Sequence, residues 1–332
     1  MSRPFSLGFL GRVYSTAFSP QVYADTLTLF EAAELAGLDS GWVAQHHFAN
    51  EQGRLPSPLV LLAAASARTR RIQLGTAVIV LSQEPTLRLA EDAAVLELLS
   101  GARLQLGLGA GFDPDSFLGF DQEAGRRHEH YDRQLTRLAQ HLEGEYSSLR
   151  PRPTRLGGKL WEATSRIEQA AARGNGLILA ADPGESNGRE QSAASWAQRI
   201  DRYQQAFVPH LGSVPRIARV QAVFPGQDLL DPASGTRRDI LDYVARQKAS
   251  GVQPRHEADV AALLDRLGVL HGPVDGIIRR LRAQPIAGPG DQLIFQVQTL
   301  STPIDQAVDA LQIIARQIAP ALGWQPQEPS TS

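Results

Sequence analysis

Cysteine is absent from this 332-residue chain. The absence excludes disulfide bonds, a thiolate nucleophile and any zinc or iron–sulfur centre held by cysteine. Lysine is nearly absent as well: Lys159 and Lys248 are the only examples, and neither lies in a segment that suggests Schiff-base chemistry. The formal net charge is −2, which excludes the strongly basic surface of a nucleic-acid-binding protein.

Long hydrophobic runs are also missing. No stretch approaches the roughly 18 consecutive apolar residues of a membrane span, and the N-terminus lacks the apolar segment of a signal peptide. We therefore expect a cytoplasmic protein that uses no membrane. What the sequence does contain is an ordinary globular composition, 42% hydrophobic and 20% charged, with enough apolar area for a large core.

Short apolar runs alternate with helical patterns along the chain. Ser6–Leu10 is typical of a strand, Arg71–Leu81 of a strand buried on both faces, and Thr86–Leu99 of an amphipathic helix. About eight such strand–helix pairs predict an α/β protein, a single (β/α)₈ TIM barrel with loop insertions over residues 1–324. Residues 325–332 are predicted to be a disordered tail. Alternation alone also fits an open doubly wound sheet.

The second predicted strand ends in Gln45-His46-His47-Phe48. In a barrel, functional side chains lie where strands end and the following loops begin. Neighbouring side chains on an extended chain point in opposite directions, so at most one of the histidines faces the barrel mouth. That histidine is a candidate acid, base or hydrogen-bond partner, and the alternative is a structural histidine. No carboxylate or histidine lies at metal-ligand spacing, so no metal is predicted.

The third and fourth predicted strands end in small residues. Ala77-Val78 ends one, and Gly109-Ala110-Gly111 ends the other. Backbone that carries little side chain lets a flat ring lie close, although tight core packing explains the same residues. The glycines do not match a dinucleotide-binding fingerprint, because the spacing is wrong and Phe112-Asp113-Pro114 is not predicted to open a helix.

The fifth predicted strand leads into Glu162-Ala163-Thr164-Ser165-Arg166, where a helix is predicted to begin. Thr164 or Ser165 can cap that helix, and its free N–H groups favour an anion. Arg166 adds a cation with geometry suited to phosphate. An ordinary capped helix with a surface arginine is the alternative. Taken with the small residues at the mouth, the segment indicates a phosphorylated planar cofactor.

Two further polar clusters are weaker candidates. The run from Arg126 to Tyr131 lies early in a predicted helix and either reaches over the mouth or forms a solvated face. Gln296 and Gln298 alternate to one side of the last predicted strand. If they are buried, they must bond each other or a ligand.

These residues together resemble the bacterial luciferase-like flavin-dependent monooxygenases. The resemblance runs from the first strand to the last helix and is clearest over residues 35–112 and 158–181. The pieces that carry it are Ala36-Gly37-Leu38-Asp39, Gln45-His46-His47-Phe48, Leu74-Gly75-Thr76-Ala77-Val78, Arg88-Leu89-Ala90-Glu91-Asp92, Leu98-Leu99-Ser100-Gly101-Ala102-Arg103 and Glu162-Ala163-Thr164-Ser165. Their order and spacing form a specific combination.

The resemblance implies a (β/α)₈ barrel that takes reduced FMN from a separate flavin reductase and uses O₂ to oxidise a small organic substrate through a C4a-peroxyflavin. His46 matches the catalytic histidine of the family. Ala77-Val78 matches a strand end that packs on the flavin, where the family often has a non-prolyl cis peptide bond. Glu162 to Arg166 match the phosphate-binding turn, and Gly109, Ala110 and Gly111 are expected to contact the cofactor.

The sequence departs from the family at two places. Gln45 stands where members that bind FMN often have Glu, and Gly109-Ala110 stands where luciferase has a Cys-Arg pair. We expect Arg166 to supply the missing phosphate charge. A similar glycine pattern occurs in relatives that use F420, so the alternatives are an F420-dependent oxidoreductase and a flavin-binding homologue without catalysis.

The resemblance further implies a homodimer formed through early helices, at Pro56–Ala67 and Thr86–Leu99. Substrate specificity is expected from the insertions at Asp113–Ala124, Pro183–Arg189 and Gly251–Gly272. None of the three insertions has a motif that names the substrate.

Overall fold

The fold is seen in a computed structural model of the chain. The structure describes residues 4–13, 20–48, 55–144, 149–151, 156–180, 193–246, 257–285 and 290–326. The insertion predicted at Pro183–Arg189 and most of the predicted tail lie outside the described residues.

Eight parallel strands close into a barrel. The strands of the described chain are β1 (Ser6–Gly11), β2 (Ser40–Val43), β3 (Gln73–Thr76), β4 (Ile79–Val80), β5 (Leu104–Gly109), β6 (Leu160–Ala163), β7 (Gly176–Ala180), β8 (Ile217–Pro225), β9 (Leu270–Gly272) and β10 (Gln292–Gln296). The ring runs β1, β2, β3, β5, β6, β7, β8, β10 and back to β1. It closes where Gln292 pairs with both Ser6 and Ala218. Closure confirms the (β/α)₈ barrel and excludes the open doubly wound sheet.

Helices surround the barrel. In the described residues they are α1 (Gln21–Leu35), α2 (Pro58–Arg68), α3 (Thr86–Leu99), α4 (Pro114–Gly119), α5 (Arg127–Glu143), α6 (Ile167–Ala172), α7 (Ala193–Ala206), α8 (Gly235–Arg246), α9 (Glu257–Arg266), α10 (Val274–Arg282), α11 (Ile304–Ile313) and α12 (Ala319–Ala321). Their apolar faces cover the outside of the barrel, where most of the buried core lies.

The barrel interior holds a second apolar cluster. Trp42 of β2 and Trp161 of β6 meet edge to face, with ring centroids 5.8 Å apart. Gly75 makes room for Trp42, because a Cβ at this glycine would overlap the indole. These large side chains fill the middle of the barrel, so the barrel is a packed core rather than a pore.

The structure corrects the prediction for Arg71–Leu81. The single strand predicted there is split, because the Ala77–Val78 peptide is cis and turns the chain between β3 and β4. The looser helical region predicted at Glu257–Ala283 contains strand β9, which pairs with the end of β8. The left-handed Gly268 (φ +67°) ends the preceding helical segment before β9.

The structure also corrects the prediction for Phe112-Asp113-Pro114. A helix does open there: Asp113 caps α4 by accepting the N–H of Asp115 at 3.1 Å, and Pro114 occupies its first turn. Asp before Pro is a favourable helix start. At the other end of the chain, the final predicted helix contains a wider π turn at Ile314–Ile318.

Candidate functional site

His46 lies at the mouth of the barrel, directly after β2. Its N–H donates to the carbonyl of Leu55 at 3.0 Å, which fixes the backbone at the strand end. The imidazole Nε2 is buried and has no hydrogen-bond partner among the described residues. Such an atom is costly to bury alone, so an unsatisfied Nε2 at a strand end is typical of a ligand site.

Burial also controls the charge of His46. Removal from water, helped by the nearby charges of Arg12 and His47, lowers the pKa of His46 to about 3. The imidazole is therefore neutral at pH 7, with one nitrogen able to accept a proton. For His47, burial lowers the pKa and the carboxylate of Asp113 opposes that shift.

The Ala77–Val78 peptide bond is cis, as the resemblance predicts. It lies at the end of β3, and both side chains pack against the interior cluster that contains Trp42 and Trp161. The amide N–H of Ala77 donates to the carbonyl of Val43 at 2.8 Å. The bend in the chain therefore remains attached to the barrel wall.

Gln45 is a residue whose role the sequence did not reveal. Its Oε1 accepts the N–H of Val80 at 2.6 Å, and its Nε2 donates to the carbonyl of Pro56 and, at 2.8 Å, to the carboxylate of Glu84. Its own N–H donates to the carbonyl of Val78. Gln45 thus joins the strand end that carries His46 to the segment that follows the cis peptide bond.

The mouth of the barrel is lined by small side chains. Ala44, Ala77, Gly109 and Ala163 end four neighbouring strands, and Ala77 and Ala163 pack on the interior cluster. A Cβ added to Gly109 would lie 2.6 Å from Val78 Cγ2. Val78 therefore packs directly against the backbone of Gly109, and the strand ends above Trp42 and Trp161 carry only small side chains.

The segment after Gly109 holds a fixed backbone conformation. The carbonyl of Ala110 accepts the hydroxyl of Ser82 at 2.7 Å, which joins β5 to the turn after β4. Gly111 adopts a left-handed conformation (φ +76°) that disfavours side chains. These two residues carry the chain from the mouth into α4.

Glu162 points away from the mouth. Its side chain is fully buried between the barrel and the outer helices, where its carboxylate accepts hydrogen bonds from Tyr131 (2.9 Å), Asn175 (2.9 Å) and Arg173 (3.1 Å). Ala163, the next residue, faces the interior. The two neighbours thus divide between the outside and the inside of the barrel.

The turn after β6 differs in detail from the prediction. The six-residue helix α6 begins after Arg166, which occupies its cap position, and neither Thr164 nor Ser165 caps it. The Thr164 hydroxyl instead accepts the N–H of Arg166 at 3.0 Å. Ser165 is exposed. The predicted cap is one or two residues too early, because a Thr164 turn precedes the helix.

Arg166 is already paired. Its Nη1 and Nη2 donate to the two oxygens of Asp132 on α5, at 2.7 and 2.9 Å. Asp132 also accepts from Arg173, which continues to Glu162. The hydrogen bonds that Arg166 donates to Asp132 raise the pKa of Arg166. The guanidinium Nε is buried, and this one donor lacks a partner among the described residues.

The beginning of α5 completes this region. His128 lies close to Arg127, Arg166 and Asp132: burial, followed by the charges of Arg127 and Arg166, lowers its pKa. The sequence run that starts at Arg126 therefore does not form only a solvated face. Arg126 itself pairs with Glu129 at 2.8 Å on the exposed side.

The structure brings His46, Ala77, Val78, Gly109 and Ala163 to one mouth, and places Arg166 beside it on the β6–α6 turn.

The side-chain amide of Gln296 donates to the carbonyl of Gln298 at 3.0 Å, so these two residues do bond each other. No group of three His, Asp or Glu side chains suited to a metal ion occurs within the described ranges. No described helix is long and apolar enough to cross a membrane.

A closed ring of eight parallel strands surrounded by helices defines a (β/α)₈ TIM-barrel protein. The chain belongs to the luciferase-like monooxygenase family, whose sequence profile matches residues 5–223. The family contains both flavin-dependent monooxygenases and F420-dependent enzymes, and the chain is related to oxidoreductases.

Three known proteins illustrate this range. A 4-hydroxyprotoasukamycin monooxygenase of Streptomyces nodosus subsp. asukaensis is 29% identical over 305 residues, which cover 82% of this chain and 79% of that protein. An F420-dependent glucose-6-phosphate dehydrogenase of Amycolatopsis mediterranei is 40% identical over 86 residues, 24% of this chain and 25% of that protein. The oxygenating component of 3,6-diketocamphane monooxygenase from Pseudomonas putida, solved with FMN, shares the fold (TM-score 0.73, 16% identity, coverage 98% and 100%).

Proposed function

We propose that this protein is an FMN-dependent monooxygenase that uses reduced FMN and O₂ to oxidise a small organic substrate. The observation that carries the proposal is the mouth itself. His46, whose buried Nε2 has no partner among the described residues, lies at the same strand ends as the Ala77–Val78 cis peptide and the small residues Gly109 and Ala163. A relative that is similar over most of the chain is a monooxygenase.

In this proposal, the residues that would hold the flavin ring are Ala77, Val78, Gly109, Ala110, Gly111 and Ala163. Thr164, Ser165 and Arg166 hold the phosphate, and Glu162 keeps their turn in place from behind through Arg173 and Asn175. Reduced FMN, when bound, would supply the electrons that activate O₂. The barrel floor of Trp42 and Trp161 excludes water beneath the ring.

His46 is the proposed catalytic residue. Because its pKa is lowered to about 3, the imidazole is neutral across the working pH range and is a weak base, so its proposed contribution is a hydrogen bond at Nε2. The hydrogen bond from its backbone N–H to Leu55 and the contacts of Gln45 hold the ring at the mouth. Such a hydrogen bond, to a group of the bound flavin or substrate, is what this chain can supply itself.

Anaerobic titration of the purified protein with reduced FMN tests the proposal. We expect binding at micromolar concentration, followed by consumption of O₂ and oxidation of a substrate from a screen of organic compounds. Absence of flavin binding would refute the function. Binding of FMN without turnover of any substrate favours a flavin-binding homologue that is not an enzyme.

An F420-dependent oxidoreductase is the second candidate. It is favoured by the Gly109-Ala110-Gly111-Phe112 run and by the F420-dependent relative. Parallel titrations with FMN and F420 separate the two candidates: a protein that binds F420 more tightly and transfers hydride without O₂ would replace the monooxygenase proposal.

We also propose that the protein works in the cytoplasm as a homodimer and receives reduced FMN from a separate reductase. The outer faces of α2 and α3 support the dimer, because large apolar side chains are exposed there: Val60 (72%), Val95 (45%), Leu98 (64%) and Leu99 (65%). Such a patch is typical of an interface. A sedimentation mass near 36 kDa at micromolar concentration would contradict the dimer.

A further inference from the structure

Three aromatic side chains form a cluster beside the mouth: His47 and Phe48 after β2, and Phe120 after α4. The ring centroids of His47 and Phe120 are 4.7 Å apart, and Phe48 lies 6.2 Å from each of them. The three pairs of ring planes are inclined by 46° to 74°. The rings are therefore not stacked in parallel, and a ligand can contact both ring faces and ring edges.

This aromatic cluster is exposed. Phe48 is 58% and Phe120 is 40% accessible, and two neighbours along the α4 segment, Phe112 (53%) and Leu118 (76%), are exposed as well. Large apolar side chains gathered in one short surface segment mark a binding surface more often than chance exposure.

The surface is held in place from below. The buried Gln83 side chain donates to the Ser116 hydroxyl at 2.7 Å, and Phe117 is buried beneath α4. Gly119 lies so close to Phe48 that a Cβ there would overlap the ring. The cluster thus exists before a ligand binds, and little conformational entropy is lost when one does.

The cluster is continuous with the candidate site. His47 follows His46 directly, and the chain that leads to Phe120 starts from Gly111 at the mouth. Carboxylates flank it: Asp113 acts on His47, and Asp115 and Asp121 lie on the same short segment as Phe120. These carboxylates disfavour an anionic ligand. Contact with apolar rings also removes water from a ligand, which costs a charged group more than a neutral one.

We propose that the aromatic cluster binds the aromatic part of a neutral organic substrate and holds it beside His46. The inference rests on the proposed function, because it assigns a substrate class to the same mouth. Edge-to-face contacts with three rings select a flat ring system, and the neighbouring carboxylates disfavour an anionic group.

Fluorescence titration with 2-naphthol, a neutral aromatic probe, tests the inference in the full-length protein with and without FMN. We expect one probe molecule per chain, weaker binding of the anionic naphthalene-2-sulfonate, and about tenfold weaker binding of 2-naphthol by Phe120→Ala and Phe48→Ala. Val214→Ala, which alters an exposed apolar side chain before β8, serves as the matched control and should bind as the parent does. FMN affinity should change less than twofold in all variants.

Unchanged 2-naphthol binding in both phenylalanine variants would overturn the inference, and so would tighter binding of the sulfonate. An altered sedimentation mass in Phe120→Ala would also overturn it, since the cluster would then join two copies of the chain. Phe120→Leu keeps an apolar side chain, so it provides the same comparison if the alanine variant does not fold. If the parent fails to bind FMN, the proposed function is refuted. The binding of 2-naphthol is measured without FMN as well, so it still tests the aromatic cluster in that case.

Discussion

The two sides of the barrel mouth differ in how their polar and charged groups are paired. On the β2–β4 side, His46 is neutral, its Nε2 lacks a partner among the described residues, and its neighbours are small or aromatic. On the β6–α6 side, Arg166, Asp132, Arg173 and Glu162 alternate in charge and bond one another. One side leaves a neutral nitrogen without a partner, and the other pairs its charged groups with one another.

This difference assigns a separate task to each side. A polar atom without a partner is the more expensive arrangement, so it is expected where a ligand or a reacting atom will satisfy it. A paired network is stable without a ligand and fixes the geometry of the turn. We therefore expect changes on the two sides to separate turnover from cofactor affinity.

The largest effect is expected from His46→Ala. Removal of a positioned hydrogen-bonding group at the reacting centre lowers kcat by about 10²-fold or more, while FMN binding changes little. Steady-state turnover and flavin fluorescence measure the two quantities on the same sample. If turnover stays at the parental level, the catalytic role of His46 is wrong and the comparison of the two sides fails.

The pH dependence of stability gives the next largest effect. The pKa of His46 is about 3 in the folded protein and 6.5 in the unfolded chain, so the unfolded state binds one more proton between these values. Stability should therefore fall as the pH decreases below 6.5, by about 2 kcal/mol at pH 5 from this group alone. Above pH 6.5 the group contributes no further change.

Urea unfolding at pH 7.5 and pH 5 in the parent and in His46→Gln measures this contribution, because glutamine does not titrate. The parent should lose more stability than the variant between the two pH values. Equal losses would mean that His46 is hydrated in the folded protein, and the contrast with the paired side would then disappear.

On the charged side, Arg166→Ala should weaken FMN binding by about tenfold and riboflavin binding much less, because only FMN carries the phosphate. Isothermal titration with both flavins measures the difference. Arg202→Ala, which removes an arginine paired with Glu168 on the outer surface, is a matched control. Equal weakening of both flavins would remove Arg166 from the phosphate site.

The parts of the molecule also differ in how well they can be predicted from the sequence. The helix Thr86–Leu99 has the predicted bounds, and the first strand extends only one residue beyond the predicted Ser6–Leu10, because periodicity and glycine or proline stops are local signals. His46 and the Ala77–Val78 bend were identified from a resemblance to a known family, and the cis peptide was confirmed.

Most of the charged network was not predicted. Asp132 and Arg166 are 34 positions apart, and Gln45 and Glu84 are 39 apart, so no local pattern joins them. Their pairing depends on the barrel bringing neighbouring strands and helices together. Strand β9, with three residues, is too short to give a periodic signal. Long-range polar contacts and very short elements are therefore the parts that require the structure.

Asp132 provides the smallest and most specific prediction. Its carboxylate already occupies the Nη atoms of Arg166 as an anion would, so it competes with a phosphate for that charge. Asp132→Asn keeps the shape and removes the charge. We expect FMN to bind a few-fold more tightly and riboflavin to bind as before, with Asp275→Asn on α10 as the control. A weaker FMN complex would mean instead that Asp132 acts chiefly by holding Arg166 in place, and the charged side would then be a positioning device rather than a competitor.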